Sequence, residues 1–232
     1  MQDPRFMASS QAQTVGMDAG LRSYMLGVYN HMTIGMAITG FFAYLTKIMS
    51  VSQGVLTPLG VALYASPLKW LVMLAPLGMV FWLSARVNKM KPETARNVFY
   101  AFAAVMGISL SSILLVFTGE SIVRVFFLTA ASFSALSIYG YSTQRNLTGM
   151  GSFLIMGLVG LILASIVNIF VASSAMQFII SVVGVLIFAG LTAYDTQQIK
   201  LMYMASDSKG TALKKSIMGA LRLYLDFINM FI

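Results

Sequence analysis

Phe178–Tyr203 reads FIISVVGVLIFAGLTAYDTQQIKLMY, an apolar run with one acidic residue, Asp195. The run is longer than the roughly 20 mainly apolar residues that a helix needs to cross a bilayer. A second run, Ile217–Ile232, reads IMGALRLYLDFINMFI and contains Asp226. A carboxylate near the centre of a membrane helix costs roughly 2.5–3.5 kcal/mol on insertion-based scales. The two acids therefore indicate a membrane protein that handles ions or protons.

The composition of the whole chain is that of a membrane protein. Hydrophobic residues make up 58% of the 232 residues and charged residues 9%, whereas soluble domains are about 25% charged. The chain has no Cys and one His, which excludes disulfides, cysteine nucleophiles and multi-histidine zinc sites. The net charge of +8 lies in the segments between apolar runs and not on a basic, aromatic-interleaved surface, so nucleic-acid binding is not predicted.

Seven apolar segments, of which the seventh is short, predict an all-α membrane protein with seven transmembrane helices. Gly54–Ala65 is too short to span and is predicted to be an interfacial or partly inserted piece. Residues 1–21 are predicted to be a flexible cytoplasmic segment, and residues 22–232 a single transmembrane domain. The seven predicted spans are Gly27–Leu45, Leu68–Ala85, Val98–Phe117, Ile122–Tyr141, Phe153–Val171, Phe178–Tyr203 and Ile217–Ile232.

The distribution of Lys and Arg predicts the orientation of these helices. With the N-terminus in the cytoplasm, the outer segments contain three basic residues: Lys47, Lys69 and Arg124. The inner segments then contain eleven: Arg5, Arg22, Arg86, Lys89, Lys91, Arg96, Arg145, Lys200, Lys209, Lys214 and Lys215. Because basic residues favour the cytoplasmic side, we predict a cytoplasmic N-terminus and, with seven helices, a C-terminus outside.

Asp195 and Asp226 lie at similar distances, 15 and 16 residues, from Gly210 in the loop between the last two spans. If the two helices face each other, the carboxylates can meet. Like charges at about 4 Å repel by ~4 kcal/mol at an effective dielectric of 20. Sharing one proton relieves this repulsion and makes the pair titrate in two steps, as a pH sensor would. Fully deprotonated, the same oxygens are ligands of the kind that Ca²⁺ prefers, although two carboxylates supply few of them.

Local neutralisation of each acid is the alternative. Arg222 lies four residues before Asp226 and is placed for an ion pair within one helix, while Asp195 could bond to polar side chains of other helices. Arg86, at the cytoplasmic end of the second span, is either a latch that reaches the acids or a residue that sets topology. His31, near the start of the first span, is either a pH-sensitive partner or an interface residue.

Three stretches resemble the Bax inhibitor-1 family, also called transmembrane Bax inhibitor motif proteins. GLTAYDTQQI (Gly190–Ile199) is similar to the signature of that family's sixth helix, and LYLDFIN (Leu223–Asn229) to that of its seventh. YGYSTQRNLTGMGSF (Tyr139–Phe153) resembles bacterial members in particular. The resemblance covers about residue 20 to the end and implies six helices packed around a central C-terminal seventh.

The resemblance also implies a function and its residues. Asp195 and Asp226 correspond to a hydrogen-bonded pH sensor in a Ca²⁺ leak pathway, and Arg86 to a latch on that sensor. Arg222 and His31 are candidate modulators. We therefore expect a Ca²⁺ leak channel of a bacterial plasma membrane, which is not an enzyme, needs no cofactor, and has the lipid bilayer, Ca²⁺ and protons as its partners.

Two other functions are weighed against the leak channel. The first is an interaction protein that regulates a membrane protease or a stress response by binding membrane proteins, in which residues 1–21 would matter most. The second is an intramembrane aspartyl protease, since Tyr194–Asp195 fits the first acid of such enzymes. Asp226 lacks the flanking Gly-x-Gly of their second acid, which argues against it.

Overall fold

The computed structural model describes residues 4–232, and its side chains are described for residues 19–87 and 89–232. Helices account for most of these residues. In chain order they are α1 (Pro4–Ser50), α2 (Pro58–Gly60), α3 (Leu68–Arg86), α4 (Pro92–Leu110), α5 (Ile113–Val116), α6 (Gly119–Ser142), α7 (Thr148–Val171), α8 (Ser174–Leu201) and α9 (Lys209–Phe231). A π-helical turn (Val61–Ala65) precedes α3, and a 3₁₀ turn (Val87–Lys89) follows it.

Six stretches within these helices are long and apolar enough to cross a bilayer. Four of them are the helices α3, α6, α7 and α8. The other two are Ala19–Ser50, which is part of α1, and Pro92–Val116, which combines α4 and α5. The predicted class, an all-α membrane protein, is therefore confirmed. The predicted seventh span corresponds to α9, which is not among these six, so the count of seven stays a prediction.

Helix α9 differs from the other long helices because its side chains are buried. From Ser216 to Met230, Arg222 and Asn229 are the two exposed residues. In α7, by contrast, Gly151 is the one fully buried residue. A helix that faces lipid needs an apolar surface, whereas a helix enclosed by protein can carry polar groups. The burial of α9 therefore explains its lower apolarity.

Two helices extend beyond their predicted apolar spans, because apolarity marks only the lipid-embedded part of a helix, whereas helical hydrogen bonding continues into polar sequence. Helix α1 begins at Pro4 and includes most of the segment 1–21. The flexibility of that segment stays a prediction, and residues 1–3 lie outside the described residues. Helix α9 begins at Lys209, before the predicted start at Ile217, so the preceding loop is shorter than expected.

The segment predicted to be interfacial contains no spanning helix among its described residues. Strands β1 (Val51–Ser52) and β2 (Val55–Leu56) pair antiparallel. The two turn residues between them, Gln53 and Gly54, have φ values of 52° and 79°. Positive φ at both positions is typical of the type I′ turn, which is favoured in hairpins with two-residue loops. Helix α2 and the π-helical turn complete the connection to α3. The position of this segment at the membrane surface stays a prediction.

The described chain divides into two compact units, to both of which α8 and α9 contribute. The first unit extends to Ser111 and includes Ile199–Ala220. In it α1 and α3 both pack on α4. The Thr39 hydroxyl donates a hydrogen bond to the Ala103 carbonyl at 2.9 Å, and this contact ties α1 to α4. The single domain predicted for residues 22–232 stays a prediction.

The second unit comprises Ser112–Gln198 and Leu221–Ile232. Aromatic rings fill the space between α6 and the end of α9: the centroids of Phe133 and Phe227 are 5.6 Å apart, and those of Phe126 and Phe227 are 5.7 Å apart. A Cβ atom at Gly140 of α6 would overlap the carbonyl of Ala193 on α8. Glycine at that position therefore lets α6 approach the turn of α8 that leads into Asp195.

Candidate proton and cation site

The second unit brings Asp195 and Asp226 together. Asp195 lies near the C-terminal end of α8, and Asp226 lies in the buried part of α9. The two carboxyl groups are near enough to interact electrostatically and, when one of them is protonated, through a hydrogen bond. Asp226 is 4% exposed, and the side chain of Asp195 is 17% exposed. The structure thus juxtaposes the two acids that the apolar runs single out.

The contact between the two carboxyl groups has a direct chemical consequence. An ionised carboxylate accepts hydrogen bonds but has no hydrogen to donate. A hydrogen bond between two carboxyl groups therefore requires a proton on one of them. Such a hydrogen bond would therefore form only in the state in which the pair carries one proton.

One oxygen of Asp226 is left without a hydrogen bond. No donor among the described residues reaches its Oδ2 atom, which is fully buried. An unsatisfied buried polar atom costs about 1–3 kcal/mol. This oxygen can be satisfied by a proton or by a cation that enters the site.

Arg222 is the basic residue at this site. Its Nη1 atom lies 3.8 Å from Oδ1 of Asp195, and it also interacts electrostatically with Asp226. An ion pair between Arg222 and Asp226 within α9 was the alternative drawn from sequence, but the salt bridge found in the described residues joins Arg222 to Asp195. Asp226 is buried whereas Arg222 is exposed, and both residues line the same cavity.

A cavity of about 520 Å³ opens beside the acid pair. The polar part of its lining consists of Asp195, Asp226, Arg222, Asn229, Ser165 and Tyr194. The remaining walls come from α7, α8 and α9 and are apolar: Ile155, Leu158, Leu161, Ile162, Phe188, Leu191 and Leu225. The volume is sufficient for water and for a small hydrated ion. The charged groups thus border accessible space and are not sealed within a packed core.

Two further residues support the site and were not singled out from the sequence. A Cβ atom at Gly151 of α7 would overlap the ring of Tyr194, so glycine there lets α7 pack against the residue next to Asp195. Gln197, two residues beyond Asp195, accepts a hydrogen bond from the Leu147 N–H at 2.9 Å and donates one to the Arg145 carbonyl at 2.8 Å. The sequence signal that could have identified them is their place in the family-like stretches: Gly151 lies in Tyr139–Phe153 and Gln197 in Gly190–Ile199. The structure brings these two stretches into contact.

Comparison with known proteins settles the family. Residues 21–232 match the family described as inhibitor of apoptosis-promoting Bax1. This chain belongs to that family. The resemblance of the three stretches to the Bax inhibitor-1 family is thereby confirmed.

Relatives of this Bax inhibitor-1 family protein occur in several bacteria. The inner membrane protein YbhL of Escherichia coli is 41% identical over 216 residues, which cover 92% of this chain and 90% of that protein. Proteins of Rickettsia prowazekii and Caulobacter vibrioides are each 44% identical, over 215 and 221 residues. These alignments cover 93% and 94% of this chain, and 88% of each relative.

Arg86 and His31 both lie in the first unit of this Bax inhibitor-1 family protein. Arg86 is the last residue of α3, and its side chain is exposed. Its role as a latch stays a prediction. His31 of α1 and the Tyr100 hydroxyl of α4 are hydrogen-bonded at 2.7 Å, so His31 takes part in a contact between helices. Its role as a pH-sensitive modulator also stays a prediction.

Proposed function

We propose that this protein is a pH-sensitive Ca²⁺ leak channel in which the pair Asp195–Asp226 responds to protons and Arg86 acts as a latch. The observation that carries the proposal is the contact between two largely buried acids beside a cavity in a membrane protein. Titratable groups at such a position cost free energy and are typical of ion or proton pathways. Membership of the Bax inhibitor-1 family supports the proposal.

The proposed gating follows from the charge of the pair. With one shared proton, the carboxyl groups attract each other through a hydrogen bond. Loss of that proton replaces the attraction by a repulsion of ~4 kcal/mol at about 4 Å, for an effective dielectric of 20. This energy is large enough to change the packing of α8 against α9 and so to shift the protein between closed and open states.

The proposed ion is cargo rather than a resident ligand. Ca²⁺ prefers six to eight oxygen ligands, whereas the site offers two carboxyl groups, and the other lining side chains that contain oxygen are the neutral Asn229, Ser165 and Tyr194. Within the described residues no cluster of three or more His, Cys, Asp or Glu residues is placed to hold a metal. A site with few protein ligands binds weakly, and weak binding suits an ion that must leave again.

The aromatic cluster next to the acids is the proposed hydrophobic constriction. Phe227 follows Asp226 directly, and its ring packs on Phe126 and Phe133 of α6. Phe126 also contacts Phe231, with ring centroids 6.3 Å apart. Apolar constrictions block ions because they exclude water. The cluster would close the pathway on the side of the acids that leads to the end of α9.

We further propose that the protein resides in a bacterial inner membrane, as the name of its Escherichia coli relative states for that protein. Eleven basic residues on the predicted inner side against three on the outer side favour a cytoplasmic N-terminus. In this arrangement α9 is the seventh crossing and, because it is so extensively buried, the central one. The C-terminus is then outside.

The test is Ca²⁺ flux into proteoliposomes that contain a Ca²⁺ dye. We expect wild-type flux to change between mildly acidic and mildly basic pH, and flux through Asp195→Asn or Asp226→Asn to be independent of pH. Glu120→Gln is the matched control, because Glu120 is an exposed acid paired with Arg124, and it should retain the wild-type profile. Flux that is indifferent both to pH and to the Asn variants contradicts the proposal.

The latch is tested in the same assay. Arg86→Gln should raise Ca²⁺ flux at the pH at which the wild-type protein is closed. Lys89→Gln, which removes a neighbouring exposed charge from the same loop, should not. Equal flux from the two variants would show that Arg86 contributes only to topology.

A further inference from the structure

The second unit contains three arginines, and they are placed differently. Arg124 pairs with Glu120 at 2.8 Å on the exposed surface of α6. Arg145 lies in an exposed loop, where its carbonyl accepts a hydrogen bond from Gln197. Arg222 lies at the acid pair, with its guanidinium bordering the cavity.

We propose that Arg222 is a tethered counter-ion, which occupies the position that a divalent cation takes at Asp195 and Asp226 and must be displaced before that cation binds. This inference rests on the proposed function, since it identifies a residue that sets cation affinity at the same site. In this proposal, the positive charge of Arg222 on α9 competes with the transported Ca²⁺ for the two acids.

The geometry of Arg222 is that of a displaceable charge. Its distance of 3.8 Å to Asp195 is long for an ion pair, and its side chain is 46% exposed. Charge-assisted hydrogen bonds in fixed ion pairs are typically about 2.7–2.9 Å long. The first unit provides such a pair, Lys215 with Asp207 at 2.6 Å. Arg222 therefore neutralises Asp195 without being locked to it.

The cavity allows an exchange between the guanidinium and a cation. A Ca²⁺ ion binds oxygens at about 2.3–2.6 Å, so an ion at Oδ1 of Asp195 and the guanidinium 3.8 Å from the same atom would strongly repel each other. The open volume of about 520 Å³ leaves room for the arginine side chain to swing aside. The unsatisfied Oδ2 of Asp226 offers the incoming ion a second oxygen.

The charges in the site define the expected effect. With both acids ionised, the pair carries two negative charges and Arg222 one positive charge, so a divalent cation meets a net charge of minus one. Replacement of Arg222 by a neutral residue doubles this net charge. We expect the affinity for Ca²⁺ to rise about ten-fold or more when this unit charge is removed from a half-exposed site.

The experiment measures Ca²⁺ binding without transport. Full-length protein in detergent is titrated with CaCl₂, and the shift of its thermal unfolding temperature gives the half-saturating concentration. Arg222→Gln and Arg222→Met should each lower this concentration about ten-fold relative to wild type. Arg124→Gln, which removes a surface arginine of the same unit, should leave it unchanged. Addition of Asp195→Asn to Arg222→Gln should abolish the gain.

Several results would overturn the inference. They are an unchanged or weaker affinity in both Arg222 variants, an equal gain in Arg124→Gln, or a gain that survives in the Asp195→Asn background. Failure of both neutral variants to fold would also overturn it, because a displaceable ion is not essential to the fold. If the wild-type protein carries no Ca²⁺ flux but Arg222→Gln binds Ca²⁺ more tightly, the proposed channel fails and the counter-ion stands.

Discussion

Gln197 connects two segments of the second unit, α8 and the loop between α6 and α7, through one side-chain amide. It accepts from the Leu147 N–H and donates to the Arg145 carbonyl, which fixes the loop between α6 and α7 to α8. We expect Gln197→Ala to lower the free energy of unfolding by about 1–3 kcal/mol, because two buried backbone groups lose their partner. Unfolding by SDS in mixed micelles measures the change.

Gln198→Ala is the control for this prediction. Gln198 is the neighbouring residue and is half-buried, but it does not take part in the bridge to the loop. Its replacement should change stability by less than half as much. Equal losses in the two variants would mean that the amide bridge contributes nothing beyond helix packing.

At the level of residues, the sequence predicted which acids lie together but not which of them forms the salt bridge with Arg222. Asp195 and Asp226 stand out because carboxylates within apolar runs are rare. Spacing along α9 offered Asp226 as one possible partner of Arg222, because that spacing contains no information on the neighbouring helix. Asp226 is buried while Arg222 is exposed at the cavity, and only the packing of α8 on α9 determines that Asp195 receives the guanidinium.

At the level of elements, close packing of α7 on α8 requires Gly151. A Cβ atom there overlaps the Tyr194 ring. We expect Gly151→Ala to cost about 1–3 kcal/mol of stability, the usual effect of overpacking, and to disturb the pH response of Ca²⁺ flux because Tyr194 adjoins Asp195. Gly149→Ala is the matched control, since nothing lies within 4 Å of its added Cβ. It should be neutral or slightly stabilising, and similar losses from both would contradict the prediction.

The aromatic contact between α6 and α9 leads to a separate prediction. Phe126 packs on Phe227 and Phe231, so Phe126→Ala should widen the proposed constriction and raise the Ca²⁺ leak several-fold while its pH dependence remains. Phe127→Ala is the control, because Phe127 is 66% exposed and contacts Phe126 without packing on the α9 rings. Proteoliposome flux measures both, and equal leaks would exclude the cluster as a constriction.

The helices themselves were largely predictable, and the exception has a physical cause. Apolarity located α3, α6, α7 and α8 to within a few residues because these helices expose apolar side chains to lipid. It identifies α9 less well, since burial against protein lets that helix carry Arg222 and Asp226. An apolar sequence indicates contact with lipid, so a helix that has little contact with lipid is harder to recognise from its sequence.

At the level of the whole molecule, the predicted orientation can be tested by labelling. The chain has no Cys, so single substitutions react without background. With a membrane-impermeant maleimide, Gln53→Cys should be labelled in intact cells, and Ser206→Cys only in inverted vesicles. Ile232→Cys decides the seventh crossing: labelling in intact cells supports it, whereas labelling only in inverted vesicles means that α9 does not cross.

The burial of α9 has a consequence for how the protein is made. Segments are released into the bilayer largely according to their apolarity, and α9 follows the six apolar spans in the chain. For α9 to span the membrane, the helices synthesised before it must already be inserted and must form a groove of protein in which α9 can pack. Insertion of α9 would then be a docking step, and a nascent chain halted before that step would expose an unfilled groove to quality-control proteases.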